Sequence, residues 1–352
     1  MERSTVEVYE AEADRWAQVR AAPRRVEAAV RLAESALPGL PVLDVGCGPG
    51  GHFSVLGPSV VGVDAAASIL RHVPAGSVVV QADLMALPFA RGVFGGGWAR
   101  MSYHHVPRAS LPLALAHLHL SMAVGAPLCL VSQAGGSEGV TGDDDEFPGR
   151  FFACWEPEPL RDVLVGAGFD VESVERDGDE VVAWARRARS LPDTVGAGMR
   201  LLVCGLNPSL YAADRGAGFA RRSNRFWPAM AAAGLVCGER AWDPLHLLSG
   251  HAIGMTDLVK RATAAASELS VDEYRAGVER VSRLVSWLRP GAVVFVGLDG
   301  WRRVVDRRAA AGWQPDGFAG VPAYVMPSTS GLNASSQLPA LVDHLQSASS
   351  ER

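Results

Sequence analysis

Two stretches of the sequence decide the fold: PVLDVGCGPG at residues 41–50 and RLLVCGLNPS at residues 200–209. Each joins a short apolar run, typical of a buried β-strand, to a glycine-containing turn. Further apolar runs follow them at residues 60–64, 77–83, 292–297 and 322–327. Because amphipathic segments separate these runs, the pattern predicts two parallel sheets, each covered by helices.

The chain has 352 residues, which is too long for one ordinary core and a common length for two domains. We predict an α/β fold with two domains, each a three-layer α/β/α arrangement around a mainly parallel sheet. An Arg-, Pro- and Gly-containing segment between the halves indicates a linker. The predicted domains are residues 1–190 and 199–352, joined by residues 191–198.

The composition is that of a globular protein, with 48% hydrophobic and 20% charged residues. No apolar run reaches the roughly 20 residues of a membrane-spanning helix, and the first residues lack the pattern of a secretory signal. The five cysteines have no zinc-type spacing, so we predict buried, reduced thiols and no structural metal. These features predict a cytoplasmic protein without a membrane partner.

The two halves differ in charge. Residues 199–352 contain 17 Lys/Arg and 13 Asp/Glu, whereas residues 1–198 contain 16 Lys/Arg and 25 Asp/Glu. The positive excess is small enough for an ordinary solvated surface. Of the two halves, only the C-terminal one is suited to a polyanion such as DNA.

Carboxylates follow three predicted strands of the first half. Asp44 begins the pattern Asp44-x-Gly46-x-Gly48-x-Gly50, Asp64 ends the second strand, and Asp83-Leu84 ends the third. Glycines allow a tight turn with room for a nucleoside, and a carboxylate one strand further accepts hydrogen bonds from ribose hydroxyls. Since the carboxyl ends of parallel strands share one edge, we expect a nucleoside site there, with Asp83-Leu84 beside the adenine.

The segment from Val42 to Gly50 resembles motif I of the class I S-adenosylmethionine-dependent methyltransferases. The resemblance covers residues 35–185 and implies a Rossmann-like fold, S-adenosylmethionine as cofactor and an unknown methyl acceptor. By this resemblance Asp44 and the glycines hold the methionine part of the cofactor, and Asp64 holds the ribose. The implied cofactor-binding residues are Asp44, Gly46, Cys47, Gly48, Gly50, Asp64, Asp83 and Leu84.

Two features of the first half leave its chemistry open. Gly95-Gly96-Gly97 stands where the methyltransferases usually carry an acidic residue, a change that predicts a looser fourth strand. His104 and His105 follow that strand, either as a catalytic base or as hydrogen-bonded loop histidines. No cysteine follows a proline, and the segment from Ala99 to Tyr103 lacks an Asp/Asn-Pro-Pro-aromatic turn, so a DNA base is not indicated as acceptor.

Four motifs of the second half occur in a characteristic order. They are the turn at residues 205–209, the segment at residues 215–227, GMTDLVKR at residues 254–261, and VMPSTSGLN at residues 325–333. Each alone has an ordinary explanation; Asn207, for example, is a good helix cap and Pro208 a good first-turn residue. Together they resemble the mismatch-specific uracil/thymine-DNA glycosylase family over nearly all of residues 199–345.

This resemblance implies a reaction on a flipped nucleotide of double-stranded DNA that contains uracil or a pyrimidine mispaired with G. Asn207 corresponds to the residue that positions the attacking water, Phe219 to the aromatic that stacks on the base, and Leu332 to the wedge that fills the vacated position. The implied pocket and DNA-binding residues are Gly205, Leu206, Pro208, Ser209, Phe219, Arg221, Asn224, Ser328, Ser330, Gly331 and Leu332. Arg222 and Arg225 flank the same aromatic and are further candidates for phosphate contacts. On DNA, such a protein would be associated with the nucleoid.

The residue types at this turn predict slow chemistry. An amide cannot take up a proton, so Asn207 can only orient water, and the turn itself contains no carboxylate. We therefore expect uracil, a good leaving group, to be removed faster than thymine. Lys260 is the only lysine and lies in a structural stretch of the family, so we predict a monofunctional enzyme that leaves an intact abasic site.

Three hypotheses remain open on the sequence. The first is a fusion of a methyltransferase-like domain with a uracil or mismatch DNA glycosylase. The second is a glycosylase with a non-catalytic S-adenosylmethionine-binding regulatory domain. The third is a small-molecule methyltransferase with a DNA-binding but catalytically weak glycosylase-fold domain.

Overall fold

The structure is a computed structural model that describes residues 2–20, 23–238, 242–333 and 336–350. The chain divides into two compact units, residues 1–188 and 189–352. Both units are α/β folds with mainly parallel sheets, as predicted. In the described ranges, no helix combines the length and the apolar character needed to cross a bilayer.

The first unit contains a large, mainly parallel sheet. Its helices are Arg3–Ala11 (α1), Ala13–Val19 (α2), Val26–Ser35 (α3), Phe53–Leu56 (α4), Ala67–Leu70 (α5), Leu111–Ser121 (α6) and Pro157–Gly166 (α7). Its strands are Val42–Val45 (β1), Val60–Asp64 (β2), Val78–Gln81 (β3), Gly96–Arg100 (β4), Pro127–Gln133 (β5), Glu138–Val140 (β6), Phe151–Ala153 (β7), Phe169–Asp177 (β8) and Glu180–Arg187 (β9). The sheet order is β3-β2-β1-β4-β5-β9-β8, and β6 pairs with β7 separately. Strands β1 to β5 pair in parallel, and β9 joins β5 and β8 in antiparallel pairs.

The central strands β1, β4 and β5 of the large sheet are buried on both faces. Leu43 and Val45 of β1 belong to a core cluster that includes α6 and α7. Val42 of the same strand and Trp98 of β4 belong to a second cluster with α3 and α4. Because burial on both faces fixes the strand positions, the turn after β1 is held rigidly at the sheet edge.

The expectation of a looser fourth strand is wrong. The strand β4 forms between β1 and β5, with regular parallel pairing on both sides. The glycines before and within it permit close packing: a Cβ on Gly95 would lie 2.7 Å from the carbonyl oxygen of Leu37, and one on Gly97 would lie 3.1 Å from the sulfur of Met122. Because these glycines have no side chains, neighbouring segments can pack closely against β4, and the strand is not weakened.

The second unit contains a five-stranded sheet. Its helices are Leu210–Arg215 (α8), Phe226–Ala232 (α9), Pro244–His251 (α10), Val271–Leu288 (α11), Leu298–Val304 (α12) and Leu338–Ser349 (α13). Its strands are Leu201–Gly205 (β10), Ile253–Asp257 (β11), Val293–Val296 (β12), Gly312–Trp313 (β13) and Ala323–Met326 (β14). The order is β11-β10-β12-β14-β13, parallel except for β13. The carboxyl ends of β10 and β11 thus lie side by side, which places the Asn207 turn next to the end of β11.

Residues 191–198, which the sequence analysis treats as a linker, pack into the second unit. Asp193 is 2% exposed and Thr194 is 3% exposed. The main chain of Thr194 exchanges two hydrogen bonds with Met255 of β11, with lengths of 2.9 and 3.0 Å. The buried carboxylate of Asp193 forms ion pairs with Lys260 and Arg280, and these ion pairs hold the segment in the unit.

Candidate functional site

The glycine turn after β1 is built for close backbone approach. Gly46, Gly48 and Gly50 have φ values of 70°, 56° and 78°, a region that favours glycine. A Cβ on Gly46 would lie 2.3 Å from the Cβ of Ser102, which follows β4. The turn therefore requires glycine for its conformation and, at Gly46, for space as well.

Two carboxylates adjoin this turn: Asp44 is buried and Asp64 is half-buried. Asp44 is 3% exposed, and its Oδ2 has no hydrogen-bond partner among the described residues. Burial, reinforced by the nearby negative charge of Asp64, raises the pKa of Asp44 to about 8. Asp64 accepts backbone hydrogen bonds from Gly48 and Ala66, each 3.0 Å long. A carboxylate can accept about four hydrogen bonds, so Asp64 retains acceptor capacity for a ligand.

A cavity of about 1070 Å³ opens beside the turn. Gly46, Cys47 and Gly48 line it, together with Tyr9 of α1 and Trp16 of α2. The two aromatics are in edge-to-face contact, with ring centroids 4.9 Å apart. These two aromatics are not among the predicted site residues, and because they lie on different helices no single helical spacing connects them.

The proposed adenine pair is not brought together at this cavity. Asp83 is exposed and accepts a hydrogen bond of 2.9 Å from the backbone of Met85. Leu84 is fully buried and belongs to the main core cluster of the unit. Leu84 thus contributes to packing, and only Asp83 of the pair is accessible.

The histidine pair belongs to a buried hydrogen-bond network. Arg150 donates a 3.1 Å hydrogen bond to the Tyr9 hydroxyl. That hydroxyl donates to Nε2 of His105 at 2.8 Å, because the hydrogen of the neutral imidazole is on Nδ1. His105 in turn donates from Nδ1 to the carbonyl of Phe151 at 2.7 Å. Burial lowers the pKa of His105 to about 4, and it lowers the pKa of His104 as well. Both rings are therefore neutral near pH 7, and His104 lines the cavity.

In the second unit, the turn after β10 fixes the carboxamide of Asn207. Its amide nitrogen donates to Oγ1 of Thr263 at 2.8 Å and to the carbonyl of Arg261 at 3.0 Å. Its oxygen accepts no hydrogen bond from the described part of the chain, and the residue is half-buried. The arrangement orients the amide so that the oxygen is available to accept a hydrogen bond from water. Three backbone hydrogen bonds from residues 258, 259 and 263 to the carbonyls of Gly205, Leu206 and Pro208 hold the turn in place.

Two side chains converge on Gly205 at the end of β10. A Cβ on this glycine would lie 2.5 Å from Oδ1 of Asp257 and 3.3 Å from the ring of Phe219. Phe219 has a φ of 57° and stacks on Phe226, with centroids 4.1 Å apart and planes inclined by 23°. Phe219 is thus positioned by a strained backbone and by a second ring. The missing side chain of Gly205 leaves room for both the carboxylate and the aromatic.

Asp257 is not among the predicted site residues, because it lies next to Lys260 in a stretch that is interpreted as structural. Asp257 is 8% exposed, and its carboxylate accepts no hydrogen bond from the described residues. Burial raises its pKa to about 6, even though Lys260 and Arg280 oppose the shift. The available signal was its position as the last residue of a buried strand next to the Asn207 turn.

The loop at residues 328–333 presents one apolar side chain. Leu332 is 96% exposed. The backbone amide of Ser330 donates to Oγ of Ser328, and that of Leu332 donates to Oγ of Ser330, each at 3.3 Å. The two serines thus stabilise the loop that carries Leu332. A Cβ on Gly331 would lie 2.8 Å from the carbonyl of Ser223, so this loop packs closely on the segment before α9.

The basic cluster before α9 divides into structural and exposed members. Arg225 donates to the carbonyls of Ser330 at 2.7 Å and Asn333 at 2.6 Å, so it holds the Leu332 loop and not a phosphate. Arg221 and Arg222 are exposed.

Two predicted contact residues are used locally. Oδ1 of Asn224 accepts a 2.9 Å hydrogen bond from the backbone amide of Phe226, the first residue of α9. Ser209 caps α8 by accepting from the backbone of Ala212 at 3.2 Å. Asn224 and Ser209 therefore hydrogen-bond to their own helices, whereas the side chains of Arg221 and Arg222 are exposed to solvent.

An ionic cluster lies behind the β11 edge. The carboxylate of Asp193 forms two ion pairs. Its Oδ1 lies 2.8 Å from Nζ of Lys260, and its Oδ2 lies 2.7 Å from Nη1 of Arg280. Thr256 also donates to Asp193 at 2.6 Å. Burial acts to raise the pKa of Asp193, but the charges of Arg280 and Lys260 lower it below its ordinary value. Lys260 is therefore committed to an ion pair. No group of three or more metal-ligating side chains is found within the described ranges.

Comparisons with known proteins agree with this division of the chain. Residues 192–347 match the family model described as the uracil DNA glycosylase superfamily. Residues 43–121 match a model described as a methyltransferase domain. The glycosylase-superfamily match thus lies within the second unit, and the methyltransferase match lies within the first.

Solved structures resemble part of the chain. One is 1,6-didemethyltoxoflavin-N1-methyltransferase from Burkholderia thailandensis, with bound 1,6-didemethyltoxoflavin and S-adenosylhomocysteine; it is 17% identical, covers 53% of this chain and 88% of its own, and has a TM-score of 0.43. Another is an S-adenosylmethionine-dependent methyltransferase from Methanosarcina mazei, 13% identical, covering 47% of this chain and 99% of its own, with a TM-score of 0.40.

Proposed function

We propose that the second unit is a monofunctional DNA glycosylase that removes uracil, or another pyrimidine mispaired with G, from double-stranded DNA. The observation that carries the proposal is the carboxamide of Asn207, whose nitrogen is held by Thr263 and Arg261 while its oxygen is available to water. The superfamily match over residues 192–347 supports the same chemistry. The exposed Leu332 and the stacked Phe219 supply the two apolar groups that base extrusion needs.

The geometry accounts for each stage of the reaction. Extrusion of a base costs a few kcal/mol, and least at a mismatch. Leu332 stabilises the extruded state by filling the vacated stack, and Phe219 contributes roughly 1–3 kcal/mol by stacking on the base. Asn207 then orients a water whose oxygen bonds to the anomeric carbon as the bond from that carbon to the base breaks. The electron pair leaves with the base, the water loses a proton to solvent, and the base anion takes one from solvent. The base leaves as an anion, and uracil is a better leaving group than thymine. We therefore expect uracil to be released faster.

A lesion panel tests this function. Duplexes that carry uracil, thymine, hypoxanthine or ethenocytosine opposite G or A are incubated with the protein, and free base is measured. We expect release of uracil by the wild type and loss of release in Asn207→Ala. Asp272→Asn serves as a control, because its side chain is 89% exposed on α11. Equal release by Asn207→Ala and the wild type would exclude the proposed role of the carboxamide.

We infer that the first unit binds S-adenosylmethionine. The residues present fit this cofactor: Asp44 has a buried carboxylate oxygen without a partner, and Gly46 leaves a cradle that a Cβ would fill. Asp44 and the glycine turn would hold the methionine part, and Asp64 would hold the ribose with its remaining acceptor capacity. When bound, the cofactor supplies a methyl group on a sulfonium for transfer to a nucleophile. The cavity beside the turn is large enough for a small-molecule acceptor, so we propose methyl transfer as a second activity.

Calorimetric titration with S-adenosylmethionine tests the cofactor site. We expect binding by the wild type and none by Gly48→Arg, since Gly48 has a φ of 56° and lines the cavity, which the arginine side chain would occupy. Binding without methyl transfer would favour a non-catalytic regulatory domain. Absence of uracil release together with methyl transfer would favour the small-molecule methyltransferase with an inert glycosylase fold.

A further inference from the structure

One arginine holds the loop that carries Leu332 on both sides of that residue. Nη2 of Arg225 donates to the carbonyls of Ser330 at 2.7 Å and Asn333 at 2.6 Å. Nη1 of the same guanidinium donates to the carbonyl of Ser336. The side chain therefore bridges the main chain before and after Leu332.

The segment before α9 contacts this loop at two further points. The backbone amide of Arg225 donates to the carbonyl of Thr329 at 2.9 Å. A Cβ on Gly331 would lie 2.8 Å from the carbonyl of Ser223, so the two segments are closely packed there. The hydrogen bonds that the loop makes to its own serine hydroxyls are longer, at 3.3 Å. The guanidinium therefore holds the loop more firmly than these serines do.

The charge of Arg225 is used for this loop. Its side chain donates only to main-chain carbonyls in the described part of the chain, where it forms no salt bridge and its Nε has no partner. Hydrogen bonds from a cation are about twice as strong as those between neutral groups. A guanidinium can also reach separate carbonyls from its two terminal nitrogens, which the single ammonium of a lysine cannot reproduce. The position therefore requires an arginine and not merely a positive charge.

The residue after Arg225 supports the other apolar group of the proposed reaction. Phe226 is fully buried, and its ring stacks on Phe219 with centroids 4.1 Å apart. Two adjacent residues at the start of α9 thus hold the loop of Leu332 and the ring that is proposed to stack on the base. The spacing between these two groups is set at this point of the chain.

We propose that Arg225 is the positioning residue of the wedge: it holds the loop of Leu332 in place before DNA binds, so that the leucine can fill the vacated stack. This inference rests on the proposed glycosylase function. A loop that is fixed in advance does not lose conformational entropy when DNA binds. Since Arg225 acts through Leu332, its loss should matter only where a stack must be filled, which is in duplex DNA.

The test is single-turnover release of uracil by the full chain from a U:G duplex and from a single-stranded oligonucleotide that contains uracil. Arg225→Lys keeps the charge but loses the two-sided contact, and we expect roughly tenfold slower release from the duplex and unchanged release from the single strand. The ratio of the two rates does not depend on the folded fraction, so partial unfolding would not mimic this result. Arg275→Lys, which changes an arginine 67% exposed on α11, should keep both rates.

A double-mutant cycle with Leu332→Ala separates positioning from a merely structural role. If Arg225 acts through the wedge, Arg225→Lys should cause little further loss in a chain that already lacks the leucine. An equal loss with and without the leucine would overturn the inference. The cycle needs only the duplex, so it decides the question even where the single strand is a poor substrate.

Other outcomes would also overturn the inference. They are a duplex rate of Arg225→Lys within a few-fold of the wild type, equal losses on the duplex and the single strand, and an unchanged duplex rate in Leu332→Ala. Arg225→Gln replaces the lysine variant if that variant does not fold, and failure of both to fold would show a folding role instead. If the wild type releases no uracil from either DNA, the proposed function fails, and the inference fails with it. Release by the wild type with any of the preceding outcomes removes the inference alone.

Discussion

The ammonium of Lys260 lies 2.8 Å from a carboxylate oxygen of Asp193, and this ion pair is nearly inaccessible: the two side chains are 10% and 2% exposed. Lys260 is the only lysine of the chain. A lysine acts as a nucleophile only when its amine is neutral and free to reach the substrate. The ion pair holds the amine toward Asp193 and away from a substrate.

The first prediction concerns the reaction product. We expect the protein to leave an intact abasic site, which alkali then cleaves, because the one lysine is held in the ion pair. Incubation of the enzyme with uracil-containing duplex and borohydride should trap no covalent complex. A borohydride-stable adduct between protein and DNA would contradict monofunctional chemistry.

The second prediction concerns the stability of the second unit. Asp193→Ala leaves Lys260 and Arg280 buried without their counterion, and we expect a loss of about 3–5 kcal/mol in the free energy of unfolding. The exposed ion pair between Asp272 and Arg275 provides the matched control, since Asp272→Ala should cost no more than about 1 kcal/mol. Urea denaturation measures both variants. If the two variants lost the same free energy of unfolding, the buried ion pairs would stabilise the fold no more than the exposed pair does.

The Asp193 carboxylate also determines how the stability of the second unit depends on pH. The pKa of Asp193 is lowered below the ordinary value of 3.8, so the folded state favours its ionised form. Its contribution to stability is complete above that value and is lost as the pH falls through the folded pKa.

The third prediction concerns the wedge. Leu332→Ala should leave the melting temperature unchanged, because the side chain is 96% exposed. Filling a base stack with a leucine stabilises the flipped state by roughly 1.5–3 kcal/mol, so uracil release from duplex should fall by about tenfold or more. Release from single-stranded DNA, where no stack must be filled, should not change. Val271→Ala, which alters an aliphatic side chain 43% exposed on α11, serves as the control. Equal losses on both DNA forms would argue against a wedge.

The fourth prediction concerns the glycine turn of the first unit. Gly46→Ala introduces a contact of 2.3 Å with Ser102 at a φ of 70°, and we expect a destabilisation of about 1–3 kcal/mol together with weaker S-adenosylmethionine binding. Gly39→Ala tests the conformational part alone, because Gly39 has a φ of 78° and open space around its Cα. Titration calorimetry and thermal melting of both variants separate the clash from the strain. Similar effects of the two substitutions would show that the contact with Ser102 is unimportant.

The fifth prediction concerns Asp44. Burial raises its pKa from 3.8 to about 8, so the folded state favours the protonated carboxyl. The stability of the ligand-free first unit should therefore fall as the pH rises from about 4 to 8, and Asp44→Asn should remove this part of the decline. Melting temperatures of both proteins across this range give the difference. The same variant should bind S-adenosylmethionine more weakly. A pH dependence identical in both proteins would show that Asp44 ionises normally.

The two folds could be predicted because their signal is local. Buried parallel strands need apolar residues on both faces, so β1 and β10 stand out as short, mostly apolar runs that end in glycine turns. The motifs around Asn207 and Leu332 are likewise short, and their residues could be named without coordinates. The partners of those residues could not.

The sequence by itself determined the two α/β domains, the glycine turn after β1 and the residues of the Asn207 turn, because each depends on neighbours a few positions away. Only the tertiary structure decided what those residues contact. It showed that Leu84 packs in the core, that Arg225 holds the Leu332 loop and that Asp257 lies over Gly205. These contacts join residues distant in the chain, and the close packing that creates them depends on the whole sheet and its helices.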